Sequence, residues 1–483
     1  MPASRRLLAL LALLGPIAGA LRAQELPRDA EKLYALLCAN CHGAKLEGGQ
    51  SGSLIDPIWK HGDGGEAHLT RLIVEGAPDA GMPGFGPLLD APRVDALVNF
   101  IRARAETGAV AAAAAEPRAE ESSSGSTATD ADTAFKLETV VEGLEVPWSF
   151  TFLPGSRDVL VAERDGRLRV VRAGRLLPDA IRDTPRVMAE GQGGLMIVQA
   201  HPDYATPGRD WIYLAFSDPS GRDRDSMTAV VRGRIRDGRW TEEQQIYRAP
   251  REFYRGSVFH FGTRLVFHDG YLFFAIGDRG APPHAQDLGR PNGKIHRLHD
   301  DGRVPVDNPF VDHPEALPSI WSYGHRNPQG LAMRYGEGDS TPQLWSTEHG
   351  PRGGDELNLV RRGANYGWPL VTFGINYNGT KVSDETTRPG LESPVVHWTP
   401  SVATCGLIAY SGEVFPAWKG DLFAGALAGQ ELRRIVIKGE QVVSQKVIVS
   451  NQGRVRSVQQ GPDGLIYLAF EQPGRIVRLV PAD

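Results

Sequence analysis

Two textures of hydrophobic patterning divide this chain. Near the N-terminus the apolar positions follow a helical period. Val94, Leu97, Val98 and Ile101 recur at i, i+3, i+4 and i+7 and predict a helix over 91–104. A shorter amphipathic stretch, 31–37, predicts a helix that delivers Cys38, and the glycine-rich run 48–65 predicts loops. From Phe135 onward, short apolar runs alternate with Asp-Gly or Gly turns. Asp158–Ala162, Asp165-Gly166 and Arg169–Val171 form one such phrase; Arg264–Phe267, Asp269-Gly270 and Tyr271–Ile276 form another. Asp421–Ala424 with Leu432–Ile437, and Val455–Val458 with Leu465–Ala469 and Arg475–Leu479, continue the series. Asp-Gly between apolar runs is a hairpin signal. Gly293-Lys-Ile-His-Arg-Leu298 recurs loosely as Gly474-Arg-Ile-Val-Arg-Leu479. Weak repeats of this kind point to a propeller, with a β-sandwich array as the alternative. Roughly 345 residues at about 50 to 60 per blade predict about six blades.

The fold class expected is therefore an all-β six-bladed propeller (135–483) preceded by a small all-α unit (26–104). The segment between them, 105–134, is Ala-rich and then runs Glu121-Ser-Ser-Ser-Gly-Ser-Thr127. It has almost no large apolar side chain to offset its ordering entropy, and it reads as a flexible linker. The first 23 residues read as a secretory signal: Arg5 and Arg6, an apolar core over Leu7–Leu14, then small residues at Ala18, Gly19, Ala20 and Ala23. That implies export, to the periplasm in a bacterial cell. No later segment is apolar enough to span a bilayer. A net charge of −5 gives no basic stripe for nucleic acid. Of three cysteines only Cys405 lies in the β region, so disulfides do not hold it together.

The other two cysteines carry chemistry. Cys38-Ala39-Asn40-Cys41-His42 is a C-x-x-C-H run, the attachment signature of c-type haem. Cys38 and Cys41 would form the thioethers and His42 the proximal iron ligand. Gly81-Met82-Pro83 offers Met82 as the sixth ligand, a pairing that raises the haem potential and suits electron acceptance; His61 and His68 are the competing ligands. In the β region, unusual residues crowd between His325 and Pro369. An Arg/Asn pair at Arg326-Asn327 stands beside acids and glycines over Glu348–Glu356. Carbonyls next to carboxylates suit Ca²⁺, and a hard cation beside an Arg/Asn pair suits an anionic, oxygen-rich cofactor.

Seven runs carry a family resemblance. They are Gly191-Gln-Gly-Gly-Leu195, His260-Phe-Gly-Thr-Arg-Leu265, Gly277-Asp-Arg-Gly280, Gly324-His-Arg-Asn-Pro-Gln-Gly330, Glu348-His-Gly-Pro351, Asp355-Glu-Leu-Asn358 and Asn365-Tyr-Gly-Trp-Pro369. In this order they resemble the soluble pyrroloquinoline-quinone (PQQ) sugar dehydrogenases, six-bladed propellers with PQQ on the axis. The texture is closer to the aldose sugar branch than to the glucose-specific one. The resemblance implies His260 as the base that takes the anomeric hydroxyl proton while hydride passes to the quinone. It implies Arg326 as the residue that steadies charge on the quinone oxygen. Gln192 and Asn327 would bond the cofactor edge, and Arg454 and Arg456 its carboxylates. The carbonyls of Gly350 and Pro351 would hold the Ca²⁺ beside PQQ, Glu356 and Tyr366 a second Ca²⁺, and Trp398 would lie near the substrate mouth.

Together these readings imply an exported quinohaemoprotein. It would oxidise aldoses to lactones and pass electrons through its haem to an external cytochrome, quinone or copper protein. Two rivals stay open: the same cofactor acting on an alcohol, aldehyde or sorbosone-like substrate, and a non-catalytic propeller whose cytochrome is a relay. Two departures from the family bear on affinity and sugar preference. Phe259 stands where the glucose-oxidising relatives have an acid, and a lysine expected to bind the quinone falls near Ala428-Gly429.

Overall fold

The computed structural model describes residues 27–38, 42, 46, 54, 65–76, 82, 84–86, 88–113, 128–130, 133–156, 158–222, 224–336, 341–377 and 380–482. The signal expected over 1–23 and Cys41 lie outside these residues. The chain divides into two compact units, Met1–Val74 with Gly86–Ala112, and Glu75–Phe85 with Ala113–Asp483.

The first unit is helical. Its helices are α1 (Ala30–Leu37), α2 (Glu66–Glu75) and α3 (Ala91–Ala113). The Asp29 side chain caps α1 by accepting from the Lys32 amide at 2.9 Å. Val94, Leu97, Val98 and Ile101 are all buried on α3, as their spacing predicts, and Tyr34 meets Phe100 at 5.4 Å between ring centroids. Helix α2 was not read from the sequence; its inward residues Leu69 and Ile73 are four apart. Helix α3 runs nine residues past Arg104, into the segment read as linker. Alanine at 111–113 explains this, since it is the strongest helix former. No helix among the described residues is long and apolar enough to cross a membrane. Cys38 closes α1, its amide bonded to the Tyr34 carbonyl at 2.8 Å, and His42 and Met82 are half-buried.

The second unit is a six-bladed propeller. Five sheets have four antiparallel strands and one has five. The inner strands of the blades are Pro147–Phe152, Leu195–Ala200, Leu265–His268, Pro328–Arg334, Thr404–Ala409 and Val455–Gln460. Five of the six neighbouring pairs of inner strands touch, the last with the first among them, and Leu195–Ala200 and Leu265–His268 share a hydrophobic core through Ile197 and Leu265, so the ring is closed. Closure is topological as well. Thr133–Glu142, which precedes the first blade in the chain, pairs with Arg475–Pro481 at the end, and Ala128–Asp130, within the segment expected to be a linker, adds a fifth strand. The turn predicted at Asp269-Gly270 has both residues in the left-handed region, φ 48° and 75°, joining strands paired His268 to Tyr271.

Every inner strand starts at the same end of the ring, and in a meander the second strand finishes at that end. The segments just before inner strands and just after second strands therefore converge there. Residues 191–194, 259–264, 326–327 and 454 are of the first kind; residues 277–280, 349–354 and 471 are of the second.

The closing strand is anchored by Phe135, fully buried edge-on against Trp418 of the neighbouring blade at 5.7 Å. Replacing Phe135 by Ala is expected to lower unfolding free energy by about 3–5 kcal/mol. Val443, which is exposed, should tolerate Ala within about 0.5 kcal/mol. Urea unfolding followed by tryptophan fluorescence measures both.

Candidate active site

His260 is the centre of the converging loops. Its backbone sits in the left-handed region at φ 51°, an uncommon state for a histidine. Two bonds hold it there. The His260 amide donates to Gln192 Oε1 at 2.8 Å, and the ring Nδ1 lies 2.7 Å from Asp278 Oδ1. Asp278 is fully buried and has no freedom to turn: Oδ1 also accepts from the Gly280 amide at 2.7 Å, and Oδ2 accepts from Trp368 Nε1 at 2.8 Å. With both oxygens occupied by donors, the carboxylate receives Nδ1–H and leaves Nε2 to accept a proton. Glycine is required beneath the pair. A Cβ on Gly277 would stand 2.4 Å from the His260 carbonyl oxygen and 3.0 Å from Asn327 Oδ1.

Burial pushes the His260 pKa down, and Arg326 adds to this; the Asp278 carboxylate opposes both. Burial works to raise the Asp278 pKa but is outweighed by the hydrogen bond to His260, the charges of His260 and Arg326, and the Gly280 amide, which hold it below the ordinary value. The resting pair is a neutral imidazole beside a carboxylate.

Arg326 comes from the adjacent blade, its carbonyl accepting from the Asp278 amide at 2.8 Å, and its charge acts on His260. Its guanidinium lies over the Trp368 ring at 5.4 Å and donates to the carbonyls of His349 at 3.0 Å and Gly350 at 2.6 Å. Gly350 must be glycine, because a Cβ there would meet the Gly353 and Gly354 carbonyl oxygens at 2.3 Å. Asn327 accepts from the Gly262 amide and Gln329 Nε2 through Oδ1, while its buried Nδ2 has no partner among the described residues. His349 Nε2 is likewise buried without a partner, and burial beside Arg456 and Arg326 pushes its pKa to about 3. Two orphaned buried polar atoms beside a guanidinium fit a polar, anionic cofactor.

Arg454 and Arg456 converge on one acid. Glu471 accepts from Arg454 Nε at 2.8 Å and Arg456 Nε at 2.6 Å. Burial works against its ionisation, but Arg456 and Arg454 prevail and hold its pKa at about 2. Arg456 reaches further, to Gln329 Oε1 at 3.3 Å. Hydrogen bonds therefore join Gln192, His260, Asn327 and Arg456 through neighbouring loop residues, and Arg326 joins Gly350.

Glu356 and Tyr366 line a small cavity with Glu348, Gly350, Gly354 and Thr372. Burial together with Glu348 raises the Glu356 pKa to about 8. Its side chain accepts from Asn358 Nδ2, which also donates to Glu348. The Tyr366 hydroxyl donates to the Leu359 carbonyl at 2.6 Å, so the phenol is engaged inside the blade. Among the described residues no group of three or more His, Cys, Asp or Glu side chains is arranged to hold a metal, so a cation here needs backbone oxygens as well. Two crowded carboxyls beside carbonyls fit a hard cation, which would draw Glu356 back to its ionised form.

Trp398 differs from expectation. Rather than standing at a substrate mouth, it is buried in a core with Trp345, Leu357 and Leu407, and its Nε1 donates to Gln445 at 2.9 Å. Its strand pairs with 355–357, which turns the indole between two blades. Asp278, Trp368, Glu348 and Glu471 carry structure at the site that no sequence role anticipated. For Asp278 a signal existed: the hairpin register Leu265 to Phe274, carried outward, sets 260–261 opposite 278–279.

Comparison with known proteins agrees with this architecture. The family described as Glucose / Sorbosone dehydrogenase matches residues 144–478, and the one described as Cytochrome C oxidase, cbb3-type, subunit III matches 25–101. The chain belongs to the glucose/sorbosone dehydrogenase family and carries a cytochrome c domain ahead of the propeller. Aldose sugar dehydrogenase YliI of Escherichia coli (strain K12) is 41% identical over 352 residues, 71% of this chain and 92% of that protein. The apo-form crystal structure of the soluble aldose sugar dehydrogenase from Escherichia coli is 39% identical, covers 72% of this chain and all of that one, and has a TM-score of 0.67. The PQQ-bound aldose sugar dehydrogenase of Streptomyces coelicolor is 27% identical over 72% of this chain and 98% of that one, with a TM-score of 0.57.

The Glu356 carboxyl makes a stability prediction. Its folded pKa is raised from 4.5 to about 8, so its contribution is intact below about 4.5 and is lost as pH rises through 8. In chelator-treated protein, thermal stability should fall across that window, and Glu356→Gln should flatten the fall.

Proposed function

We propose that this chain is an exported quinohaemoprotein that oxidises the anomeric carbon of aldoses to lactones. The observation that carries the reading is the buried Asp278–His260 pair, held with Nε2 available and close enough to Arg326 to feel its charge. When bound, PQQ supplies a two-electron acceptor, Ca²⁺ a polarising charge, and haem c a one-electron exit toward a cytochrome, quinone or copper protein.

The protein's own groups do the rest. His260 Nε2 accepts the proton of the anomeric hydroxyl, and Asp278 orients the ring and stabilises the imidazolium that forms. Arg326, tethered to the His349 and Gly350 carbonyls, supplies fixed positive charge near the base. Gln192, whose Oε1 holds the His260 amide, and Asn327, with its orphaned Nδ2, bond the cofactor edge. Arg454 and Arg456 provide guanidinium donors for its carboxylates alongside Glu471. The Gly350 and Pro351 carbonyls would hold the Ca²⁺ beside PQQ, Gly350 sharing its oxygen with Arg326, and Glu356 and Tyr366 would hold the second, Tyr366 through its backbone because its phenol is engaged by Leu359, with Glu348 close by. In the cytochrome domain, Cys38 and Cys41 bind the haem and His42 and Met82 its iron. The core position of Trp398 argues against a substrate role for it.

Adding sugar to full-length protein loaded with PQQ and Ca²⁺ is expected to raise the reduced-haem absorption band. No change across a broad aldose panel, while PQQ binds in calorimetry, would contradict sugar oxidation. Asp278→Asn should lower kcat by about 10²–10⁴-fold, because the tautomer and the counter-charge are lost together. The acid limb of the rate profile lies below pH 6.5 in the parent, since His260 must be neutral. It should move lower still in Asp278→Asn, because Asp278 acts to raise the His260 pKa. Steady-state rates against pH measure both effects.

A further inference from the structure

Phe259, immediately before the proposed base, is half exposed at 50%. Loop mobility does not account for that exposure, because its backbone is pinned. The Phe259 amide donates to Ser257 Oγ at 3.3 Å, and the carbonyls of Phe259 and Ser257 both accept from the Arg279 guanidinium. Arg279 is itself fully buried, stacked over the Phe261 ring at 3.4 Å. A rigid anchor thus presents an aromatic ring to solvent, with its centroid 6.3 Å from the His260 ring.

Asp278 occupies Nδ1, so a substrate hydroxyl that loses its proton must approach Nε2 within about 2.6–3.2 Å. The Phe259 ring, 6.3 Å from that imidazole, is within reach of a sugar ring held there. The side chain has no polar atom to read a hydroxyl, but it offers a flat apolar surface to the C–H face of a pyranose.

We propose that Phe259 is a specificity-determining platform that stacks on the C–H face of the aldose, so that the site selects ring shape rather than hydroxyl configuration. Apolar contacts discriminate among isosteres by about 10²-fold at most, whereas sites built on hydrogen bonds reject wrong partners by 10⁴–10⁵-fold. Hydroxyl epimers at C2 and C4 should therefore share similar kcat/KM values. This inference rests on the sugar-oxidising reading above.

The test uses full-length protein loaded with PQQ and Ca²⁺, with glucose and its C2 and C4 epimers. Phe259→Ala is expected to raise KM by about tenfold for all three sugars, the loss falling on KM rather than kcat. Phe259→Tyr should keep the parent KM, Phe259→Leu should fall between, and calorimetry of the apoproteins should give one PQQ affinity for all. An unchanged KM in Phe259→Ala overturns the proposal. So does a loss shared equally by kcat and PQQ affinity, which would mark Phe259 as a support for the loop. Parent protein that binds PQQ and oxidises no aldose would instead defeat the underlying reading.

Discussion

The hydrogen bond between Asp278 and His260 is the constraint on which the site depends. A buried carboxylate is costly unless its oxygens are satisfied, and here each accepts from a fixed donor. The Gly280 amide and the Trp368 indole aim the carboxylate, and the carboxylate in turn aims the imidazole. The left-handed backbone of His260 is tolerable because the Gln192 side-chain oxygen Oε1 and Asp278 hold it from two sides. Substituting any of these partners loosens the ring nitrogen that must meet a substrate.

Propeller geometry brings those partners together at little cost in chain length. Gln192, His260, Arg326 and Arg454 come from four different blades, yet each lies within five residues of the start of an inner strand. Asp278, Gly350 and Glu471 follow second strands and reach the same end. Closure by Thr133–Glu142 therefore matters to the site, because it fixes the blade that carries Arg454, Arg456 and Glu471 against the rest. Charges are arranged in the same economical way. Glu471 pairs with two arginines and leaves one positive charge over, whereas Glu348 and Glu356 crowd each other in one cavity, where a cation would favour the ionised form of Glu356.

Much of this was legible in the sequence, for identifiable physical reasons. Asp269-Gly270 announced its hairpin because both residues adopt positive φ readily. Val94, Leu97, Val98 and Ile101 announced a helix because their period matches a buried stripe. His260, Arg326, Asn327 and Gln192 stood in runs whose order matched a family, and they do converge. Helix α2 was masked by the glycine-rich run before it. The role of Asp278 was hidden because its partner is 18 residues away and only the hairpin register joins them. Trp398 misled because an aromatic beside a site motif serves packing equally well, and burial, which decides the matter, is not written in a local motif.

The central claim is that His260 is held ready as a neutral base by Asp278. Nitrogen-15 and proton NMR of the histidine rings in the full-length protein, with the haem reduced and His260→Gln used for assignment, tests it most directly. The account predicts a neutral ring at pH 6.5, with a strongly hydrogen-bonded Nδ1 proton and an unprotonated Nε2. A ring protonated on both nitrogens at that pH, or one carrying its proton on Nε2, would contradict it.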